Sequence, residues 1–341
     1  MGYQAVQVAG QSKEKLLGSA TGVFVGLAGG EFAALPNKSE AGPYTATGGH
    51  AAIASNRVSY VLGLEGPSIS VDTACSSAIV ALDTACHSLH SGACIQALVG
   101  TVNALLSVGG FVGTCKAHML SARGHCHTFE ASADGYVRAE GCCAVFIQTA
   151  SSVGAVQVAS TSLNQDGRTA NLTSPNGPAQ QRVIARALQL AAVQGSELPL
   201  VDCHGTGTAL GDPIEVSAQR AVLGQGRREA DPLVMGAVKS SVGHLEAGAG
   251  LVGVLKVVLA LEHWQAAPNM HLQRLNPHID AAGYAAVLPS GMLAAVASDN
   301  MLMVAGTSSF GFGGTNSHAL LASHAEPAAA LMQVQAAVQY Q

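Results

Sequence analysis

Short apolar runs closed by glycine or proline alternate along this chain with longer stretches of small residues, and the alternation predicts strands and helices in turn. Residues 21–27 read as a strand bounded by glycines. A loop through Pro36, Asn37 and Pro43 leads to a mostly helical segment, 46–62. Residues 68–71 predict a short buried strand, and 78–89 an apolar helix that stops before Gly92. Residues 95–100 predict another strand. A polar loop spans 123–138, and 142–149 return as a buried strand.

A second series opens at Val156, with turns at 163–167 and 174–178 and a helix over 179–192. Residues 198–202 and 234–238 read as strands, each running into a glycine-bearing corner; an apolar helix from about 247 to 261 follows the second. Alternating strands and helices imply parallel sheets covered on both faces. Two series with matching corners predict two related halves, residues 1–150 and 151–323. The tail, 324–341, is rich in Ala and Gln and is expected to be disordered.

Composition narrows the functional classes. Of 341 residues 48% are apolar and 40 are glycine, which suits large buried layers joined by tight turns. With 16 Lys and Arg against 21 Asp and Glu, no basic field exists to hold nucleic acid. Polar residues such as Asn103 and Lys256 break the longest apolar runs, so no membrane span is expected. Lys13, Glu14 and Lys15 near the start, with no apolar signal core, point to an intracellular protein, cytoplasmic or plastid. The eight cysteines are scattered through apolar segments and are expected to be reduced thiols. His125-Cys126-His127 and Cys142-Cys143 lack the paired spacing of a zinc site, so no metal is expected.

Candidate chemistry sits at the corners. Cys75 lies among small residues between a predicted strand and a predicted helix, where free N–H groups and the helix dipole favour a thiolate. Position alone is weak evidence, because cysteine is also a common packing residue, as Cys86 further along the helix is expected to be. His204, Lys239 and His244 also follow predicted strands, where α/β folds collect their active sites. By residue type alone, Phe310 and Phe312 read as core aromatics.

The stretches VDTACSS at 71–77, HGTGTALGDPIE at 204–215, KSSVGH at 239–244 and SFGFGGTN at 309–316 resemble the signature segments of β-ketoacyl synthases. NQDG at 164–167 and PNGPAQ at 175–180 narrow the resemblance to the ketosynthase domain of type I polyketide synthases, and it runs from about Tyr3 to Leu321. It implies a thiolase-like α/β fold, two related βα halves in five layers, α-β-α-β-α, commonly as a homodimer. The implied reaction is decarboxylative Claisen condensation of an acyl thioester with malonyl-acyl carrier protein.

The same resemblance implies the roles. Cys75 carries the acyl group, and His204 and His244 donate to the malonyl thioester oxygen. Lys239 holds His244 in place. The backbone N–H groups of Cys75 and Phe312 form an oxyanion hole, with Phe312 also the gate over the acyl pocket. Thr206 and Thr208 hold the phosphopantetheine arm. No bound cofactor is implied, because the arm of the acyl carrier protein delivers both thioesters.

The chain departs from the family pattern in places. It joins the pattern late, with roughly a fifth of the usual domain missing upstream, so an unpaired edge of the first sheet is expected. Glu130 stands where Asp is common and Ala139 where Gly is usual. Two other readings stay open: a catalytically inactive protein for carrier docking or assembly, and a starter-loading decarboxylase, which the retained Cys75 opposes.

Overall fold

The computed structural model describes residues 1–34, 42–149, 156–294 and 303–323. The loop at Pro36 and Asn37 and the tail 324–341 lie outside the described residues. The chain forms two compact units that are not consecutive in sequence. Of the described residues, the first takes those in Met1–Ala117, Arg138–Ser151 and Leu245–Leu251; the second takes those in His118–Val137, Ser152–His244 and from Val252 onward.

In the first unit, strands β1 (Thr21–Gly26), β2 (Ser68–Val71), β3 (Gln96–Asn103) and β4 (Gly141–Gln148) form a sheet in the spatial order β2, β1, β3, β4. β1 is buried along its whole length, as its run Thr-Gly-Val-Phe-Val-Gly at the centre of the sheet requires. Val23 and Val25 pack with Val6, Leu16, Leu62, Leu64 and Leu98. The helix Ser77–His90 buries Ala78, Ile79, Ala81, Leu82 and Ala85. It starts hard against the end of β1: a Cβ on Gly26 would lie 2.8 Å from the carbonyl of Ser77.

Two expectations change here. β2 and β4 are edge strands of the described sheet and are half-exposed rather than buried, because each is covered along one side only. The sheet is mixed, not parallel: β1 runs parallel to β2 and β3, whereas β4 pairs antiparallel with β3.

The second unit contains β5 (Gln157–Gln165), β6 (Leu200–Asp202), β7 (Leu233–Gly236), β8 (Gln265–Ala266), β9 (Ala286–Val287), β10 (Leu293–Ala294), β11 (Met303–Phe310) and β12 (Thr315–Ser323). Its main described sheet runs β5, β12, β11, β6, β7, β9. It too is mixed, since β12 pairs antiparallel with both β11 and β5. The turn expected over 163–167 begins only at Asp166. Asn164 and Gln165 instead continue β5 opposite Asn316 and Thr315. Val183, Ile184, Leu198, Val201, Met235 and Leu320 belong to the core of this unit.

The parallel part of the sheet explains where the chemistry gathers. β6, β7 and β11 run the same way, so their carboxyl ends open at one edge. That edge receives His204 from β6, the segment Lys239 to His244 from β7, and Phe310 at the end of β11. Among the described residues no helix is long and apolar enough to cross a membrane.

Candidate active site

In the first unit, β2 ends at Val71 and the chain turns into the helix Ser77–His90 through one 3-10 turn, Ala74–Ser76. Short polar side chains lace this corner. Asp72 Oδ1 accepts the Ala74 amide at 2.9 Å, Ser77 Oγ accepts the Thr73 amide at 2.8 Å, and Ser77 Oγ donates to the Ala74 carbonyl at 2.7 Å. They hold Ala74 at φ +56°, a left-handed conformation that an L-residue leaves unless held. Cys75 is the next residue and is half-buried at the mouth of the helix. In the helix that follows, burial, and then the charge of Asp83, pushes the Cys86 thiol up to about 11.

In the second unit, the loop after β6 is held from below by two carboxylates of the helix Gly211–Leu223. Glu215 accepts the amides of His204 and Gly205 through its two oxygens, at 2.7 and 2.8 Å. Asp212 accepts the amides of Phe129 and Gly207 at 2.8 and 3.1 Å. Burial raises Glu215 to about 7 and Asp212 to about 6, against the pull of these N–H donors and of the Lys239 charge. The loop depends on Gly205, φ +45°, where a Cβ would lie 2.5 Å from that of Ala237.

This lacing fixes the His204 ring. Its Nδ1 accepts the Phe310 amide at 3.3 Å, so the ring proton is left to Nε2. Burial first, and then the charges of Lys239 and His244, depress its pKa well below 6.5. The imidazole of the buried His244 meets that of His204 edge-on, with centroids 5.7 Å apart. Lys239, also buried, opens the one-turn helix Lys239–Val242, which ends at Gly243 with φ +76°. The unit thus brings His204, His244, Lys239 and Phe310 to one sheet edge. Cys75 belongs to the first unit.

Thr206 and Thr208 lie on the same loop, their hydroxyl oxygens 3.3 Å apart. Of the two aromatics near the end of β11, Phe310 is core, but Phe312 is 56% exposed on the turn between β11 and β12, a correction to the reading by residue type. Glu130 accepts the amides of Gln273 and Arg274 at 2.6 and 2.7 Å, so its extra methylene is used structurally. Asp212 and Glu215 were visible in the motif, but a loop-holding role is not. The signal for it is a pair of carboxylates three residues apart in the first two turns of a helix that follows a glycine-rich corner. Among the described residues no cluster of three His, Cys, Asp or Glu side chains is placed to hold a metal ion.

Comparison with known proteins places this geometry. Residues 1–152 match the family model "Beta-ketoacyl synthase, N-terminal domain" and residues 155–273 match "Beta-ketoacyl synthase, C-terminal domain". The chain is 44% identical over 335 residues to the mycoketide-CoA synthase of Mycobacterium tuberculosis, covering 94% of this chain and 8% of that protein. It is 42% identical over 328 residues to erythronolide synthase EryA3 of Saccharopolyspora erythraea, covering 94% of this chain and 10% of that protein. It therefore spans only a small part of the length of these relatives. The ketosynthase from module 6 of the bacillaene synthase of Bacillus subtilis 168 superposes with a TM-score of 0.88 at 31% identity, over 94% of this chain and 57% of that one. An oxazolomycin ketosynthase domain of Streptomyces albus gives 0.86 at 34% identity, over 94% and 58%.

Proposed function

This chain belongs to the β-ketoacyl synthase family with its thiolase-like α/β fold, and from that premise we propose that it is an acyltransferase extending an acyl thioester by decarboxylative Claisen condensation with malonyl-acyl carrier protein. The observation that carries the proposal is the pair of facing imidazoles, His204 half-buried and His244 buried, at one sheet edge, with Nδ1 of His204 already engaged.

Cys75 attacks the carbonyl of the incoming acyl thioester as its thiolate and becomes acylated while the carrier thiol leaves. The backbone amides of Cys75 and Phe312 stabilise the oxyanion of that adduct, and exposed Phe312 gates the acyl pocket from its glycine-flanked turn. Malonyl on the carrier then loses carbon dioxide. The electrons of the broken bond become an enolate, whose oxygen receives hydrogen bonds from the two histidines. The enolate carbon attacks the acyl carbonyl, and the adduct collapses by expelling the Cys75 thiolate, leaving a 3-oxoacyl thioester on the carrier.

Lys239 adds fixed positive charge beside His204 and keeps the His244 turn in place. Thr206 and Thr208 hydrogen-bond the phosphopantetheine arm. No cofactor of the protein's own is needed. The partners are an acyl carrier protein and a second copy of the chain, acting inside the cell, in polyketide or fatty acid synthesis.

Treating the protein with an acyl thioester should add one acyl group to Cys75 by intact mass, and Cys75→Ala should abolish the adduct. Malonyl carrier should then release carbon dioxide and give the 3-oxoacyl product. Labelling that persists in Cys75→Ala overturns the nucleophile. Carrier binding with no carbon dioxide release from the wild type supports a docking role instead.

A further inference from the structure

Two stretches of chain are tied together at successive residues around His244. The Tyr136 ring meets the His244 imidazole with centroids 4.9 Å apart. The carbonyl of the next residue, Val137, accepts the His244 amide at 2.8 Å. The residue after that, Arg138, grips Glu246 with a fork: Nε donates to Oε1 at 2.6 Å and Nη2 to Oε2 at 2.9 Å.

This pair differs from a surface ion pair, which contributes little. The Arg138 side chain is only 5% exposed. Its plane is fixed from other directions by Glu31, whose Oε1 accepts from Nη2 at 2.6 Å, and by the Phe111 ring, 4.8 Å from the guanidinium carbon. Glu31 is anchored in turn, since its other oxygen accepts the amides of Leu106 and Ser107 at 2.7 and 2.8 Å. Space for the cluster comes from Gly110, where any Cβ would collide with the guanidinium and the Glu31 carboxylate. At the far end, Glu246 stands at φ +47°. With Gly243 at φ +76°, the turn bearing His244 has left-handed residues on both sides. Glycine takes that conformation freely, but Glu246 does not, and an unsupported chain would leave it.

We infer that Arg138 and Glu246 are positioning residues for His244, their forked pair setting the path of the turn that presents the imidazole. The inference rests on the condensing function proposed above. A planar fork against a carboxylate fixes direction as well as distance, and small displacements of a catalytic donor cost large factors in rate. The pair should therefore act on the step that needs His244 and leave acylation of Cys75 alone.

The test compares Glu246→Gln and Glu31→Gln with the wild type in two separate half-reactions, Cys75 acylation by an acyl thioester and carbon dioxide release from malonyl carrier. Glu246→Gln should acylate within about twofold of wild type while kcat for carbon dioxide release falls at least tenfold at unchanged KM. Glu31→Gln keeps the fork and should lose less than about threefold. Equal losses in both half-reactions of Glu246→Gln, or equal loss in the two variants, mean a general structural role and overturn the inference. Unchanged carbon dioxide release in Glu246→Gln also overturns it. If the wild type itself performs neither half-reaction, the condensing function fails and the inference falls with it.

Discussion

The backbone amide of Phe310 donates to Nδ1 of His204 across 3.3 Å. An amide nitrogen has no lone pair to give, so one hydrogen bond from the end of β11 selects the tautomer of a histidine at the end of β6. The ring is left with a single N–H, on Nε2, and burial together with the Lys239 and His244 charges keeps it neutral. Such a ring can donate one hydrogen bond, from Nε2, without giving up its proton.

Nitrogen NMR of protein labelled in its histidines should show His204 neutral, with Nδ1 bare and Nε2 protonated, from about pH 8 down to about pH 6. The folded pKa is depressed, so the ring's contribution to stability is present above 6.5 and is lost as pH falls below it. An imidazolium signal from His204 at pH 7 would contradict the assignment.

Glu215→Gln is expected to destabilise the protein by about 1–3 kcal/mol, measured by urea unfolding. The carboxylate serves two amide donors, His204 and Gly205, with two acceptor oxygens. An amide side chain has one oxygen and presents an N–H₂ to the second donor. A variant as stable as wild type would show that the loop does not depend on this pairing.

At the corner that bears Cys75, Ala74 sits at φ +56°. Glycine takes that conformation freely, so Ala74→Gly should hold or raise the melting temperature, the relief of about 1 kcal/mol offsetting glycine's entropic cost. Ala74→Val adds a branched side chain to a conformation that already opposes one, and should lower both the melting temperature and the rate of Cys75 acylation. If Val and Gly melt together, the corner carries no strain.

His318 gives the fold a second acid-sensitive point. Its Nδ1 pairs with the Ser308 hydroxyl at 2.9 Å, while Nε2 is buried without a partner among the described residues, 2.9 Å from where a Cβ on Gly306 would lie. Burial depresses its pKa to about 3. Stability from the neutral ring is complete above 6.5 and erodes as pH falls toward that value, by about 2 kcal/mol between pH 7 and pH 5. His318→Gln should lose that much less stability than wild type over the same interval. Equal acid losses in the two proteins would remove His318 as the cause.

The corners at Cys75, His204 and Lys239 to His244 were legible in the sequence because each follows an apolar run and falls among small or glycine residues. Strand direction was not, since an apolar run looks the same whichever way it is laid. β11 and β12 are also hidden from a hydrophobic pattern: they carry Thr307, Ser308, Ser309, Asn316 and Ser317 into the interior. Several of them find partners across the hairpin or in the segment 164–166 at the end of β5. Ser317 Oγ donates to the Ser309 carbonyl at 2.7 Å, and Asn316 Nδ2 to Asp166 Oδ1 at 2.7 Å. The role of Glu215 was hidden for the same reason, because its hydrogen bonds exist only once the loop has folded onto its helix.

The segment Leu245–Leu251 comes late in the chain yet completes the unit built from its beginning. Leu245 fills the space beside Gly141, Gly248 rests on Thr101, and Gly250 lets Ile79 approach. A gene split between β4 and β5 would therefore not encode two self-sufficient proteins, because the first product would lack a wall that only the second can provide.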